Sequence, residues 1–370
     1  MIPALKIRQP MESWDKLLSE SITTPEELSL LTETEKSDIH KVISEYPMFI
    51  NPYFLGLIKE KGDAIYRQAV PDIREITGSE GLLDPLNEEG LSPVPGITHK
   101  YPDRVLFLIS GHCAMYCRFC NRKRKVGRTS MVTKETILEG LSYIKATKEI
   151  RDVLLSGGDP LLLSDNELFK ILSELRSISH VEIIRIGTRI PCSFPQRVTK
   201  QLIEMLKGFH PLYINTHFNH PLEITPQAAF ACAMLVDAGI PLGCQTVLLK
   251  GINDDEMVIK ELMLKLLGIR VRPYYLFQAD LVKGTSHFWT NLQKGLKIIS
   301  ELQGNISGLG IPRFVIDLPG GGGKIPITPE YILDIKGNEL VVRNYLGHEY
   351  RYPIIEDGSW NGDTRHKAGY

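Results

Sequence analysis

The sequence predicts an α/β fold in which strand–helix units build a parallel sheet. Three observations carry that prediction. Short β-branched or aliphatic runs recur at 104–109, 152–155, 182–186, 212–216, 244–249 and 271–277, from the second onward at a spacing of about 30 residues. Amphipathic helical stretches at 134–146, 165–176, 197–207, 226–238 and 255–267 lie between them. Each strand-like run ends in polar residues, where parallel βα architectures hold ligands. Six βα units suit an open doubly wound sheet or a partial barrel; a full eight-stranded barrel lacks two strands.

Residues 1–100 read as short helices separated by prolines, followed by a linker. Thr24-Pro25-Glu26-Glu27 has an N-cap, proline at the first helical position and first-turn acids. Ile39, Val42 and Ile43 give 35–45 a helical face that stops before Pro47. Pro52 to Gln68 reads as one helix with Leu55, Ile58 and Ile65 on one side, and 84–102, rich in Pro, Gly and acids, as linker. The barrel units occupy 101–310, with a further helix at 287–303. The segment 311–370 opens on a strand-like run at 311–317 and ends, from 325, in short strands and turns.

Composition excludes several classes. The 370 residues hold 43 Lys+Arg against 44 Asp+Glu, with 43% hydrophobic residues, so the chain reads as soluble and globular, not disordered or fibrous. A net charge of −1 argues against a broadly basic nucleic-acid surface. No apolar run reaches about 18 residues, and the start MIPALKIRQPMESWDK has no apolar signal region, so a cytoplasmic protein without membrane contact is expected. Six cysteines are too sparse for a disulfide scaffold.

Three of those cysteines, Cys113, Cys117 and Cys120, fall within eight residues. Thiolates at this spacing suit one metal centre with an open position. A zinc knuckle completed from elsewhere is the competing reading, but zinc ribbons use paired C-x2-C units and no second pair exists. Polar strand ends follow in register: Ser156-Gly157-Gly158-Asp159, Gly187-Thr188-Arg189, Asn215 to His220 including His217, Gln245, and Gln278-Ala279-Asp280. The two glycines before Asp159 permit close backbone approach to a ligand.

Asp317-Leu-Pro-Gly-Gly-Gly-Gly-Lys324 is not a P-loop, since no Ser or Thr follows the lysine. It is either a flexible linker or a backbone laid against a ligand, with Lys324 able to form a Schiff base with pyridoxal phosphate. The run Arg118 to Arg128 holds six Lys/Arg in eleven residues. It is a solvated face, the patch of a zinc-dependent nucleic-acid-binding module, or an anion site with Arg122 nearest. Arg104 either serves a similar role or pairs on the surface. His112, His180, His210 and His348 show no metal spacing, and Cys192, Cys232 and Cys244 read as buried hydrophobes.

CAMYCRFCNRKR resembles the C-x3-C-x2-C signature of radical S-adenosylmethionine (SAM) enzymes. The segments DPLNEEGLSPVPGITHKYPDRVLFLI, DVLLSGGDPLLLSD, VEIIRIGTRIP, NTHFNHPLEIT, QTVLLKGIND, VRPYYLFQADLVKG and FVIDLPGGGGK resemble, in order, the lysine 2,3-aminomutases. The resemblance implies a partial (βα)6 TIM-like barrel with a helical N-terminal segment and a short C-terminal extension. It implies a 4Fe–4S cluster on Cys113, Cys117 and Cys120, and SAM at Ser156, Gly157, Gly158, Asp159, His217 and Gln245. It further implies pyridoxal 5′-phosphate on Lys324 with Arg104 at its phosphate, Arg122 at the substrate α-carboxylate, and Asp280 and Asp317 at the substrate ε-ammonium. Two carboxylates in one pocket favour lysine over glutamate. The implied reaction is conversion of L-lysine to β-lysine by 1,2-amino migration, started by a 5′-deoxyadenosyl radical. A mutase for arginine, or one making β-lysine for a translation factor, are the neighbouring alternatives. A reductant such as flavodoxin or ferredoxin and assembly as a homo-oligomer are expected with it. Phe277 stands where clostridial-type enzymes have tyrosine, Asn121 where threonine is usual, and no cysteine follows Cys244 to build a zinc-binding tail.

Overall fold

The computed structural model describes residues 14–28, 31–128 and 132–355. The starting stretch 1–13 and the end of the expected tail, 356–370, lie outside them. Nine strands form one sheet in chain order: β1 (Ile97–Tyr101), β2 (Arg104–Ser110), β3 (Asp152–Gly157), β4 (Ile183–Gly187), β5 (Leu212–Thr216), β6 (Leu242–Leu248), β7 (Arg272–Gln278), β8 (Arg313–Leu318) and β9 (Gly323–Pro326). β2 to β8 pair in parallel, while β1 and β9 run antiparallel at the two edges. The parallel part therefore has seven strands against the six units expected, the run at 311–317 being the seventh. The sheet curls into a nearly closed barrel, the partial TIM-like architecture.

Strand periodicity explains why its interior is chemical. Along β3, Val153 and Leu155 are buried in the hydrophobic core, whereas Asp152, Leu154 and Ser156 face the interior cavity. Along β4, Ile184 and Ile186 are buried in the core while Arg185 and Gly187 line the cavity. The apolar half of each strand packs against helices started by short polar caps. Thr133, Ser164, Thr199, Thr225 and Asp255 accept backbone N–H groups at the starts of Lys134–Ala146, Asp165–Ser177, Lys200–Lys207, Pro226–Asp237 and Glu256–Gly268. Leu168, Ile171, Leu172 and Leu175 show the buried face of one such helix. Cys192, Cys232 and Cys244 are buried in this core, as expected.

Two elements differ from the sequence reading. The single helix expected over 52–68 is two short turns, Pro52–Leu55 and Tyr66–Ala69. Gly56 caps the first, and the Asp63 carboxylate accepts the N–H groups of Lys59, Glu60, Ile65 and Tyr66, wrapping the chain into a loop. The second is the linker over 84–102, which contains β1. Thr98 pairs with Leu106 and Tyr101 with Arg104 across a tight turn at Pro102-Asp103. Beyond β9, Ile332–Lys336, Glu339–Arg343 and Glu349–Pro353 make a separate antiparallel sheet. Among the described residues no helix is long and apolar enough to cross a membrane.

Candidate active site

A cavity of about 630 Å³ fills the barrel. It runs from Arg104 and Asp152, the first residues of β2 and β3, to the loops beyond the strands' carboxyl ends. Every site residue expected from sequence lines it: Cys113, Cys117, Cys120, Arg122, Ser156, Gly157, Gly158, Asp159, His217, Gln245, Asp280, Asp317, Lys324 and Arg104.

At one end the loop after β2 carries the three cysteines. Burial pushes the Cys113 thiol well above its ordinary value and that of Cys120 up to about 11. Left alone these sulfurs keep their protons, and a metal is what removes them. Among the described residues no three His, Cys, Asp or Glu side chains converge as a single ion requires. Three thiols lining one space suit a polynuclear cluster, in which each sulfur takes its own iron.

Arg189, which the sequence showed only as a polar strand end, is the hub here. Its Nη1 donates to Cys117 Sγ at 2.8 Å, and its Nη2 to Glu223 Oε1 at 2.7 Å and Gln68 Oε1 at 2.6 Å. Burial opposes its charge, but Cys117 and Glu223 hold the guanidinium protonated. Asp159 orients it, accepting Arg189 N–H at 2.8 Å and the Thr188 hydroxyl at 2.6 Å. Burial raises the Asp159 carboxyl to about 6. His217 Nε2 lies 3.0 Å from Asn219 Oδ1, and burial, aided by Arg189, lowers its pKa to about 3, so the ring is neutral.

The two glycines before Asp159 also meet a packing demand. A Cβ on Gly157 would stand 2.2 Å from Ser110 O, and one on Gly158 2.2 Å from His112 O. Gly158 N–H donates to Ser110 O and Asp159 N–H to His112 O. The glycines thus bring the end of β3 against the base of the cysteine loop. Nearby, Asn215 Nδ2 and Thr216 Oγ1 at the end of β5 are buried without hydrogen-bond partners. Unmet polar atoms of this kind fit a bound polar cofactor.

The other end is built by two hairpins. Gly320, Gly321 and Gly323 adopt positive φ in the β8–β9 turn, which sets Asp317 and Lys324 opposite each other. Lys324 Nζ lies 2.6 Å from Asp317 Oδ2, and Lys100 Nζ 2.6 Å from Asp317 Oδ1. Burial works against the Asp317 charge, but Lys324 and Lys100 outweigh it and hold the carboxyl below its ordinary value. Among the described residues Asp280 forms no ion pair, and Lys324 and Arg122 act on it only from a distance. Burial, with a contribution from Asp317, raises it to about 6, and Asn121 Nδ2 donates to it at 3.2 Å. The Phe277 ring centroid lies 5.7 Å from Lys324 Nζ, and Tyr101 Oη accepts Lys324 N–H at 3.0 Å. Arg104 stacks on the Tyr101 ring at 4.3 Å and pairs with Asp103, so it both lines the cavity and reaches the surface.

The basic run is not a free patch. Arg118 and Lys123 pair with Glu75, Arg122 with Glu88, Arg124 with Asp84 and Glu89, and Lys125 with Glu89. Five of its six cations are thereby paired within the chain, by four carboxylates, which weakens the feature behind a nucleic-acid reading. Arg122 holds Glu88 at 2.6 Å through Nη2 and reaches Ser156 Oγ at 3.3 Å through Nη1.

A cavity in a partial barrel, with three thiols on the loop after its first parallel strand, defines a radical SAM enzyme. Residues 107–262 match the model of the radical SAM superfamily, and 299–365 that described as lysine-2,3-aminomutase. The L-lysine 2,3-aminomutase of Methanococcus maripaludis is 52% identical over 338 residues, 90% of this chain and 78% of that one. Its counterpart in Clostridium subterminale is 48% identical over 360 residues, 95% and 86% of the two chains. A glutamate 2,3-aminomutase of Clostridioides difficile is 45% identical over 345 residues, 91% and 82%. The chain belongs to the lysine 2,3-aminomutase family and is an isomerase; membership implies a 4Fe–4S cluster and SAM.

Proposed function

We propose that the chain is a pyridoxal phosphate-dependent L-lysine 2,3-aminomutase. The observation that carries this reading is Asp280, an enclosed carboxylate that forms no ion pair among the described residues, in the cavity that also holds Asp317, Lys324 and the three cysteines. An unpaired enclosed carboxylate selects a cation, and lysine's ε-ammonium is the complement that leaves the α-amino and carboxylate groups at the other end.

When bound, the cluster with SAM supplies one-electron chemistry that removes a hydrogen atom, and pyridoxal phosphate supplies an aldehyde for the migrating amine. Cys113, Cys117 and Cys120 would hold the cluster, and Ser156 with the Gly157-Gly158 backbone and Asp159 behind it would line the SAM site with His217 and Gln245. Lys324 would hold pyridoxal phosphate, with Arg104 at the phosphate. Asp317 Oδ2 would hold and orient the Lys324 ammonium, and Lys100 on Oδ1 favours the ionised form of Asp317. Arg122 would meet the substrate carboxylate by exchanging part of its contact with Glu88. The barrel walls exclude water from the reacting carbons.

Anaerobic incubation with a one-electron reductant, SAM, pyridoxal phosphate and L-lysine should yield β-lysine. A parallel panel of arginine, ornithine and glutamate should turn over far more slowly. Turnover of glutamate without lysine would overturn the Asp280 argument, and full activity in Lys324→Ala would remove that lysine's role.

A further inference from the structure

The cysteine loop has little regular structure of its own; its shape is imposed from outside the barrel. Residues 46–78 supply the contacts. Ile50 bridges Met115, and Phe49 O accepts Tyr116 N–H at 3.0 Å. Asn51 Nδ2 donates to Ala114 O at 2.8 Å, and Gln68 O accepts Arg118 N–H at 2.9 Å. One side chain gathers the two ends of the turn that carries Cys117 and Cys120. Glu75, fully buried, takes Arg118 Nε on Oε1 at 2.9 Å, while its Oε2 meets both Arg118 Nη2 and Lys123 Nζ. Arg118 also donates to Pro47 O and Tyr46 O, and Lys123 to Arg118 O. Gln68 reaches the cluster end by a second route, because its Oε1 accepts from the same Arg189 guanidinium that donates to Cys117 Sγ.

We propose that the segment 46–78 is the mould of the cysteine loop, with Glu75 a positioning residue that clamps Arg118 and Lys123 so that Cys117 and Cys120 are presented together to the cluster. This rests on the reading of Cys113, Cys117 and Cys120 as cluster ligands. The clamp joins residues 43 and 48 positions apart in the chain. It carries two cations on one anion, so loss of the anion leaves both cations buried and in mutual repulsion. Groups that orient metal ligands in this manner typically govern metal affinity by about 10- to 100-fold.

The test uses the full chain, reconstituted anaerobically with iron and sulfide, in wild type, Glu75→Gln, Glu75→Asp and Lys123→Met. The readouts are iron and sulfide per chain, the rate of iron loss to a chelator, the electron paramagnetic resonance signal of the reduced cluster with and without SAM, and far-UV circular dichroism. Glu75→Gln should lose iron at least about 10-fold faster than wild type and show an altered signal. Glu75→Asp should recover most of the retention. Lys123→Met keeps the one-to-one Glu75–Arg118 pair and therefore its fold, and should fall between wild type and Glu75→Gln. Wild-type iron retention and signal in a folded Glu75→Gln overturns the proposal. So does a Glu75→Gln that fails to fold beside a Lys123→Met indistinguishable from wild type, because Glu75 would then serve stability alone. A wild-type chain that takes up no iron or sulfide overturns the ligand reading itself, a result distinct from both.

Discussion

The two ends of the cavity are built in opposite ways. The cysteine end is a loop without regular structure, held by hydrogen bonds from a separate segment and by Arg189, Glu75 and Asp159, all at least nine-tenths buried. The Lys324 end is regular strand, two hairpins, with two cations, Lys100 and Lys324, sharing one acid, and Lys324 is 32% exposed. Buried pairs of the first kind are costly to break; at the Lys324 end two cations share one buried acid, and only Lys324 reaches far into solvent. The cysteine end is thus preorganised, whereas at the Lys324 end two cations compete for one partner.

The largest test of this division uses Cys117→Ala and Lys324→Ala. Both should abolish turnover, but iron analysis should show the cluster lost only in the first. Loss of iron in Lys324→Ala would mean that the ends are one unit.

Next in size, Asp280→Asn should lower kcat/KM for lysine by about 30-fold or more, roughly 2–5 kcal/mol, as expected when a buried charge loses its partner. The pH profile sharpens this. Asp280 in the free protein keeps its proton up to about 6, above the ordinary carboxylate range. It is therefore neutral at acid pH, where it cannot pair with an ammonium, and ionised above neutrality. Steady-state kcat/KM should rise as pH climbs through about 6, and that limb should vanish in Asp280→Asn.

Lys100→Met should have a smaller effect, raising KM by about 10-fold while iron content stays constant, because Asp317 retains Lys324. Phe277→Tyr should be the mildest, within about 3-fold in kcat/KM, since it keeps the ring beside Lys324 and adds only a hydroxyl.

What the sequence displayed and what it hid follow the same division. Strand spacing, the C-x3-C-x2-C loop and the lysine after four glycines are local patterns, readable because chain neighbours carry them. Glu75, Glu88 and Lys100 were invisible because their partners Arg118, Arg122 and Asp317 lie 43, 34 and 217 residues away. Only the fold pairs them. Lys100 and Tyr101 did leave a signal: ITHKY and RVLFLI flank the turn pair Pro102-Asp103, which reads as a hairpin, whereas prolines and acids upstream made the stretch look like linker. Gly157 and Gly158 stand out in the sequence as permitting close approach to a ligand, and the fold adds a second reason, contact with Ser110 and His112.

The edges of the sheet carry one more lesson. β1 and β9 share no backbone ladder. They meet through Tyr101 Oη on Lys324 N–H, and β1 reaches β8 through Lys100 on Asp317. The barrel is closed by a zip of side chains, so its girth is set by their length and not by strand register. The four residues of that seam, Lys100, Tyr101, Asp317 and Lys324, also line the cavity, so the closure of the barrel and the wall of the site are one set of groups. Each edge also shields the other from strands of a neighbouring molecule.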